Sequence, residues 1–299
     1  MAGTFFKRQK ELFRNGSLLL KLIYINVGIF LVLRLTDVVL MLFNGSIFPV
    51  LTYIEIPSNI SYFLIRPWTL FTYMVVHYDL FHILFNMLWF YWFGQIFLLH
   101  FGEKQLGGLY LLGGLAGGLF YLLAYNTFPY FDDKQGLMCG ASASILAIVI
   151  ATAMRAPDFK VNLFLFGAVS LKYIAAVTVV IDLLSVTSAN GGGHIAHLGG
   201  ALVGLWFILR WNRGKDITRP INRMIDAVTV FFKPRPKKIR FVKTKRQNVK
   251  RTESDMEYNA RKKRESEELD AILDKIKKSG YSALTEEEKK RLFEVGNRS

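Results

Sequence analysis

The sequence is poor in cysteine and histidine. One of its 299 residues is a cysteine, Cys139, which excludes an intramolecular disulfide. Five are histidines, and none of them lies in the H-E-x-x-H pattern of zinc proteases. The apolar run after the basic stretch Lys7–Arg14 is too long for a signal peptide and has no clear cleavage site. We therefore expect neither a disulfide-stabilised secreted domain nor a removable signal peptide.

What the sequence has instead is long apolar runs. Hydrophobic residues make up 52% of the chain, and the mean hydropathy is +0.28. This predicts an all-α polytopic membrane protein, a bundle of six transmembrane helices with a small helical cytoplasmic tail. The expected parts are a cytoplasmic N-terminal segment (1–16), the six-helix domain (17–212), a basic juxtamembrane linker with an amphipathic helix (213–251) and a C-terminal helical hairpin (252–299).

Six apolar segments account for the six predicted helices. They are about Leu18–Phe43, Leu80–Leu99, Leu106–Tyr125, Met138–Met154, Tyr173–Leu184 and His194–Trp211. The half-apolar loop 44–68 is expected to lie in the membrane interface, as is the apolar stretch Val161–Val169.

The distribution of basic residues predicts the orientation. Lysine and arginine gather at the N-terminus, in the turns 100–105 and 155–160, and after Arg210. With six spans these segments share one side, which the positive-inside rule makes cytoplasmic. We expect an inner-membrane protein with both chain ends in the cytoplasm. The net charge of +15 therefore indicates topology and contact with anionic lipid, or a solvated linker, rather than nucleic-acid binding.

A serine among small residues marks the candidate site. Ser142 follows Gly140 and Ala141 at the outer start of the fourth span. Serines and small residues are also common where membrane helices touch, so the motif alone is weak. It gains weight because His82 and Asn86 on span two, and His194 on span six, lie at the same outer depth.

Serine needs a base within hydrogen-bond reach to act as a nucleophile. His194 is the candidate, because a G-x-x-x-G spacing at Gly200 and Gly204 and alanines at every fourth position from Ala143 would bring spans six and four together. No acidic residue is evidently placed to orient His194, so the sequence predicts a dyad.

The other histidines have less specific interpretations. His82 and Asn86 share one helix face and could stabilise an oxyanion, although a polar pair satisfying itself is the commoner role. His197 could be a zinc ligand, a packing residue or a group that holds water, and His77 is interpreted as structural or water-retaining. With no acidic third ligand in view, we expect no metal and no other cofactor.

Three motifs together resemble the signature set of the rhomboid intramembrane serine proteases. They are His77-x4-His82-x3-Asn86, Gly140-Ala141-Ser142-Ala143 and Gly193-His194-x2-His197-x-Gly199-Gly200, with Arg66-Pro67-Trp68 and Asp182 also fitting the family. The sequence departs from the family at Ala143, where glycine is usual, and at Leu146, where an aromatic residue commonly stacks on the histidine.

The resemblance implies that Ser142 is the nucleophile, His194 the base, and His82 and Asn86 the oxyanion-side residues. It also implies that the substrate is a single transmembrane segment, cleaved near the outer leaflet after a small residue. Two alternatives stay open: a non-catalytic rhomboid-like protein that binds transmembrane clients, and a metal-dependent membrane enzyme or transporter that uses the histidines.

The polar tail carries two further signals. Ile217–Phe232 mixes apolar and basic residues and predicts a juxtamembrane amphipathic helix. Leucines and isoleucines form one stripe along Glu267–Lys278, and Thr285-x-x-Glu288 is a capping box. Together they predict a small helical hairpin whose role the sequence does not indicate.

Overall fold

The computed structural model describes residues 16–163, 167–232 and 255–296. The chain divides into two compact units, Met1–Lys233 and Pro234–Ser299. Residues 1–15 of the expected N-terminal segment and residues 233–251 of the expected basic linker lie outside the described residues.

The elements of the first unit follow the predicted order. They are α1 (Leu18–Leu42), α2 (Phe48–Ile54), β1 (Ile56–Pro57), α3 (Ile60–Ile65), α4 (Thr69–Thr72), α5 (Leu80–Leu98), α6 (Glu103–Tyr125), β2 (Leu137–Met138), α7 (Ser142–Arg155), β3 (Lys160–Leu163), β4 (Gly167–Ser170), α8 (Leu171–Leu184), α9 (Gly191–Trp211) and α10 (Arg219–Phe232). Single 3₁₀ turns cover Tyr73–Val75 and Pro129–Phe131. Each of the six predicted apolar segments contains one helix, so the all-α membrane bundle is confirmed.

The six helices differ in length. Within the described residues, four of them, α1, α5, α6 and α9, are long and apolar enough to cross a membrane. Helices α7 and α8 have 14 residues each, which corresponds to about 21 Å. A hydrocarbon core is about 30 Å thick, so these two helices are too short to cross it alone. The fourth span was predicted from Met138, but the helix begins at Ser142 because β2 and a turn occupy the preceding residues.

The short helix α7 lies at the centre of the unit. Its residues Ala143–Ala153 are all buried. On one side it contacts glycines of α6, where a Cβ added at Gly113 would lie 2.6 Å from Ala147 Cβ. A Cβ added at Gly117 would lie 2.5 Å from Ala143 Cβ. The small residues of both helices therefore set how closely they pack.

The loop between α1 and α5 is tied to the strand before α7. β1 pairs antiparallel with β2, with Ile56 opposite Met138 and Pro57 opposite Leu137. Large apolar side chains of α2 and α3 are exposed: Phe48, Val50, Tyr53, Ile60, Tyr62, Leu64 and Ile65. This exposure supports the interfacial placement of the loop, which stays a prediction. The described parts of the stretch Val161–Val169, also expected at the interface, lie in β3 and β4, which pair antiparallel.

The tail forms helices where the sequence predicts them. α10 covers most of the expected amphipathic segment. The second unit contains α11 (Asp255–Ser279), a 3₁₀ turn (Tyr281–Ala283) and α12 (Glu286–Gly296). The capping box is present, since the Glu288 backbone N–H donates to Thr285 Oγ1 over 3.3 Å and the Thr285 N–H donates to Glu288 Oε2 over 2.7 Å. Lys275 donates to both carboxylate oxygens of Glu288 over 2.9 Å and links the two helices of the hairpin.

Candidate active site

A cavity of about 820 Å³ opens at the start of α7. Residues from α5, α7, α8 and α9 line it, among them His82, Asn86, Ser142, Thr178 and His197. The structure thus brings together residues from three segments that the sequence placed at one depth. His194, the base expected from sequence, is not among the lining residues.

Ser142 is exposed to this cavity by its place at the first position of α7. It is the only residue of Ser142–Ala153 that is not buried. The turn before it depends on Gly140, whose φ of +120° disfavours any residue with a Cβ. The Gly140 N–H donates to the Tyr73 carbonyl over 2.9 Å and fixes this turn. Local backbone geometry therefore presents the hydroxyl at the helix start.

His77 joins the turn to α5. Its Nε2 lies 3.3 Å from the backbone N of Ala141 and 3.1 Å from Asn86 Nδ2. Both of these groups are donors, so Nε2 is the acceptor and the imidazole is neutral. Burial, and to a lesser extent the neighbouring His82, lower the pKa of His77 to about 3. His77 thus links Asn86 to the turn before Ser142, and its interpretation as structural or water-retaining stays a prediction.

His82 lies directly over the serine turn. A Cβ added at Gly140 would be 2.8 Å from His82 Cε1 and 2.9 Å from its Nε2, so the glycine also makes room for the imidazole. Asp79 caps the start of α5 by accepting from the His82 backbone N–H over 2.8 Å. His82 and Asn86 both line the cavity from α5.

Helix α9 approaches α7 through its glycines. A Cβ added at Gly200 would lie 2.1 Å from the Ala143 carbonyl oxygen, and one at Gly204 would lie 2.3 Å from that of Ala147. The predicted G-x-x-x-G contact is therefore present. His197 precedes Gly200 by three residues, about one turn, and so reaches the level of Ser142. His194 lies about one turn nearer the start of α9 than His197, and so beyond the level of the first residue of α7.

The family models match the two parts of the chain separately. The rhomboid domain family matches residues 65–212, the part that contains the cavity. The chain belongs to the rhomboid family. A second model, a family of unknown function, DUF6576, matches residues 252–298.

Curated relatives agree with this assignment. The chain is 31% identical over 161 residues to the RHOMBOID-like protein 12, mitochondrial, of Arabidopsis thaliana, covering 50% of this chain and 48% of that protein. It is 30% identical over 135 residues to the Presenilin-associated rhomboid-like protein A, mitochondrial, of Danio rerio, covering 44% and 34%. It is 25% identical over 175 residues to the Rhomboid protease GlpG of Yersinia pseudotuberculosis, covering 58% of each. The chain thus spans about a third to three-fifths of the length of these relatives.

An acidic residue of the rhomboid domain contacts both histidines of α9. Asp182 Oδ1 lies 2.8 Å from the Nδ1 atoms of His194 and His197. The expectation that no acidic residue orients His194 was wrong, because Asp182 reaches it from another helix. A useful signal was present in the sequence: an acid within an apolar span needs polar partners.

Ser142 and the histidines are not hydrogen-bonded to each other in the part of the chain that the structure describes, since no hydrogen bond joins Ser142 Oγ to an imidazole. Catalytic hydrogen bonds are often long without substrate and tighten in the complex. Leu146, where the family commonly has an aromatic residue, is buried and lines the same cavity. No aromatic ring from that position therefore restrains the histidine.

Asp182, His194 and His197 are also the group of side chains in the described residues that could hold a metal ion. The ligand atoms of Asp182, His194 and His197 lie within 4.8 Å of one another. Hydrogen bonds to Asp182 already account for the Nδ1 atoms of both histidines. The prediction that the site uses no metal stays a prediction.

Proposed function

We propose that the chain is an intramembrane serine endopeptidase in which Ser142 is the nucleophile and His197 is the base. The observation that carries the proposal is the shared cavity: a hydroxyl at a helix start, an imidazole and an amide line one space within the apolar bundle. Membership of the rhomboid family and the similarity to a relative named as a rhomboid protease support it.

The choice of His197 replaces His194 as the expected base. Packing of Gly200 on Ala143 sets His197 at the level of Ser142, and His197 lines the cavity while His194 does not. His194 instead contacts Asp182 from one turn further out.

The proposed reaction is acyl transfer to serine followed by hydrolysis. His197 Nε2 takes the proton from Ser142 Oγ as the oxygen attacks the carbonyl carbon of a peptide bond. The protonated imidazole then gives that proton to the leaving amine, and the peptide bond breaks. Water attacks the acyl-serine with the same base, which releases the second product and restores the hydroxyl.

The negative oxygen of the tetrahedral intermediate needs donors. The Asn86 amide has two N–H groups, and His77 accepts one of them over 3.1 Å, so the second is free to donate into the cavity. The backbone N–H of Ser142, at the first turn of α7, is one of the groups that a helix leaves unpaired. His82 lies beside them, against Gly140. We assign these three residues to oxyanion stabilisation.

The proposed substrate is a transmembrane segment of another protein, cleaved near the outer leaflet. The length of α7 supports this depth, since a helix of about 21 Å whose Arg155 end lies at the inner face starts below the outer one. Its start carries Ser142, so the hydroxyl lies within the bilayer rather than in bulk water.

The test is cleavage of a transmembrane substrate in reconstituted vesicles. We expect wild type to cleave a substrate with a helix-weakened segment, and the Ser142→Ala and His197→Ala variants to lose cleavage by about 10²-fold or more. The conservative His194→Gln variant should retain measurable activity. A wild type that binds the segment but never cuts it would favour a non-catalytic rhomboid-like binder. Cleavage that survives Ser142→Ala would remove the serine mechanism.

A further inference from the structure

Asp182 is the side chain that joins the outer end of helix α8 to α9 by hydrogen bonds. Of the last five residues of α8, Val180–Leu184, only Asp182 is buried, with 3% of its surface exposed. The neighbours Val180, Ile181 and Leu183 are apolar and exposed. A buried acid in an apolar span is costly unless it is paired, so its partners indicate why it is there.

Both partners of Asp182 come from α9, and both meet the same oxygen. The Nδ1 atoms of His194 and His197 each lie 2.8 Å from Oδ1. A carboxylate can only accept, so both imidazoles carry a proton on Nδ1 when these bonds form. Among the described residues no donor reaches Oδ2, which is buried. The carboxylate is therefore directed entirely at the two histidines.

The protonated Nδ1 has a consequence for the base. A neutral imidazole with its proton on Nδ1 has a bare Nε2, and this atom is the one that must accept the serine proton. The opposite tautomer would present an N–H and could not act as the base. In a serine–histidine dyad, only packing fixes the tautomer and the direction of the imidazole ring. In this chain, Leu146 provides no aromatic ring that could stack on the histidine.

We propose that Asp182 is a positioning residue that fixes the tautomer and direction of His197 through Oδ1, and that His194 is the second donor that holds the carboxylate in place. The proposal rests on the proposed function, because it assigns His197 as the base. It makes the site a serine–histidine–aspartate arrangement, with the acid contributed by α8 and the histidine by α9.

This arrangement also couples α8 to catalysis. The bonds from Asp182 to α9 cross between the two helices near the cavity, where Thr178 of α8 is another lining residue. Movement of the outer end of α8 away from α9 would break the contact with His197. His197 is therefore correctly oriented only while the outer end of α8 stays in contact with α9.

The experiment measures tautomer and turnover on the same full-length proteins. The variants are Asp182→Asn and Asp182→Leu, and the matched control is Asp158→Asn, which removes an exposed acid that pairs with Lys172 near the other end of α8. ¹⁵N-histidine spectra of the detergent-solubilised proteins report which ring nitrogen carries the proton. The His197 signals are assigned by their loss in His197→Gln.

We expect wild type and Asp158→Asn to show His197 with a protonated Nδ1 and a bare Nε2. In both Asp182 variants the Nε2–H form should appear, and kcat should fall at least about tenfold, since a positioned base contributes roughly 10²–10⁴-fold. KM should change much less than kcat, because the substrate-contacting residues remain in place.

Each other result overturns the inference. A wild-type His197 with its proton on Nε2 removes it, whether or not the Asp182 variants fold. Unchanged kcat in a folded Asp182 variant also contradicts the inference. A raised kcat with an unchanged His197 tautomer contradicts it too, since Asp182 would then only hold α8 against α9. If wild type shows the Nδ1–H form but does not cleave, the proposed function fails and the tautomer assignment stands.

Discussion

Gly200 lies directly against the backbone of Ala143. A Cβ at position 200 would be 2.1 Å from the Ala143 carbonyl oxygen, closer than any two such atoms can stay. Because that oxygen belongs to backbone, the contact can be relieved only by moving α9 away from α7. The distance between Ser142 and His197 therefore depends on how closely Gly200 packs on Ala143.

The first prediction concerns this contact. Gly200→Ala should separate the helices, destabilise the protein by about 1–3 kcal/mol and lower kcat by about 10²-fold, because a displacement of 1 Å can cost that much. The matched control is Gly28→Ala on α1, where nothing lies within 4 Å of the added Cβ. It should leave cleavage unchanged. Thermal unfolding in detergent and initial rates of cleavage measure both effects. Equal behaviour of the two variants would contradict the packing argument.

The second prediction concerns pH and His77. Its ordinary pKa is 6.5, and burial lowers the pKa in the folded protein to about 3. Between these values the unfolded chain binds a proton that the folded chain does not, so stability falls as the pH drops below 6.5. His77→Gln retains a side-chain acceptor but cannot titrate. The wild-type Tm should therefore drop more between pH 7 and pH 5 than the Tm of the variant, and parallel drops would rule this out.

The third prediction concerns the oxyanion donors. Asn86→Ala should lower kcat by about 10²–10³-fold with little change in KM, because the amide acts on charge that develops only in the transition state. The control is Asn162→Ala, an exposed asparagine in β3. Steady-state cleavage of one substrate by both variants measures the split. A change confined to KM would mean that Asn86 contacts the substrate in the ground state instead.

The fourth prediction concerns orientation. In a Cys139→Ser background, Asp133→Cys should react with a membrane-impermeant thiol reagent added to intact cells expressing the protein. Asp158→Cys should react only after the cells are opened. Both positions are exposed, and the basic residues assign them to opposite sides. The reverse labelling pattern would place both chain ends outside the cytoplasm.

Much of the fold follows from the sequence because membrane helices are apolar and continuous. The predicted ends of α1, α5 and α6 agree with the structure within three residues. The depth argument also placed Ser142, His82 and Asn86 together, since all three lie near helix starts on one side. The hydropathy pattern did not predict the short strand β2 before α7, because only two residues form this strand.

The choice between the two histidines could not come from depth alone. His194 and His197 lie one turn apart on one face, so both pass the same test. The packing of Gly200 on Ala143 separates them, because it places the residue one turn before Gly200 nearer the start of α7. The contact of Asp182 with both imidazole rings depends on how α8 packs against α9. The spacing of apolar residues along the sequence does not determine that packing.

The central claim is that Ser142 is a nucleophile activated by His197. The most direct measurement is covalent labelling of the purified protein with a fluorophosphonate, followed by mass spectrometry of the labelled site. The account predicts one adduct, on Ser142, formed by wild type and by His194→Gln and lost in His197→Ala. Labelling at another serine, or equal labelling of Ser142 in wild type and His197→Ala, would contradict it.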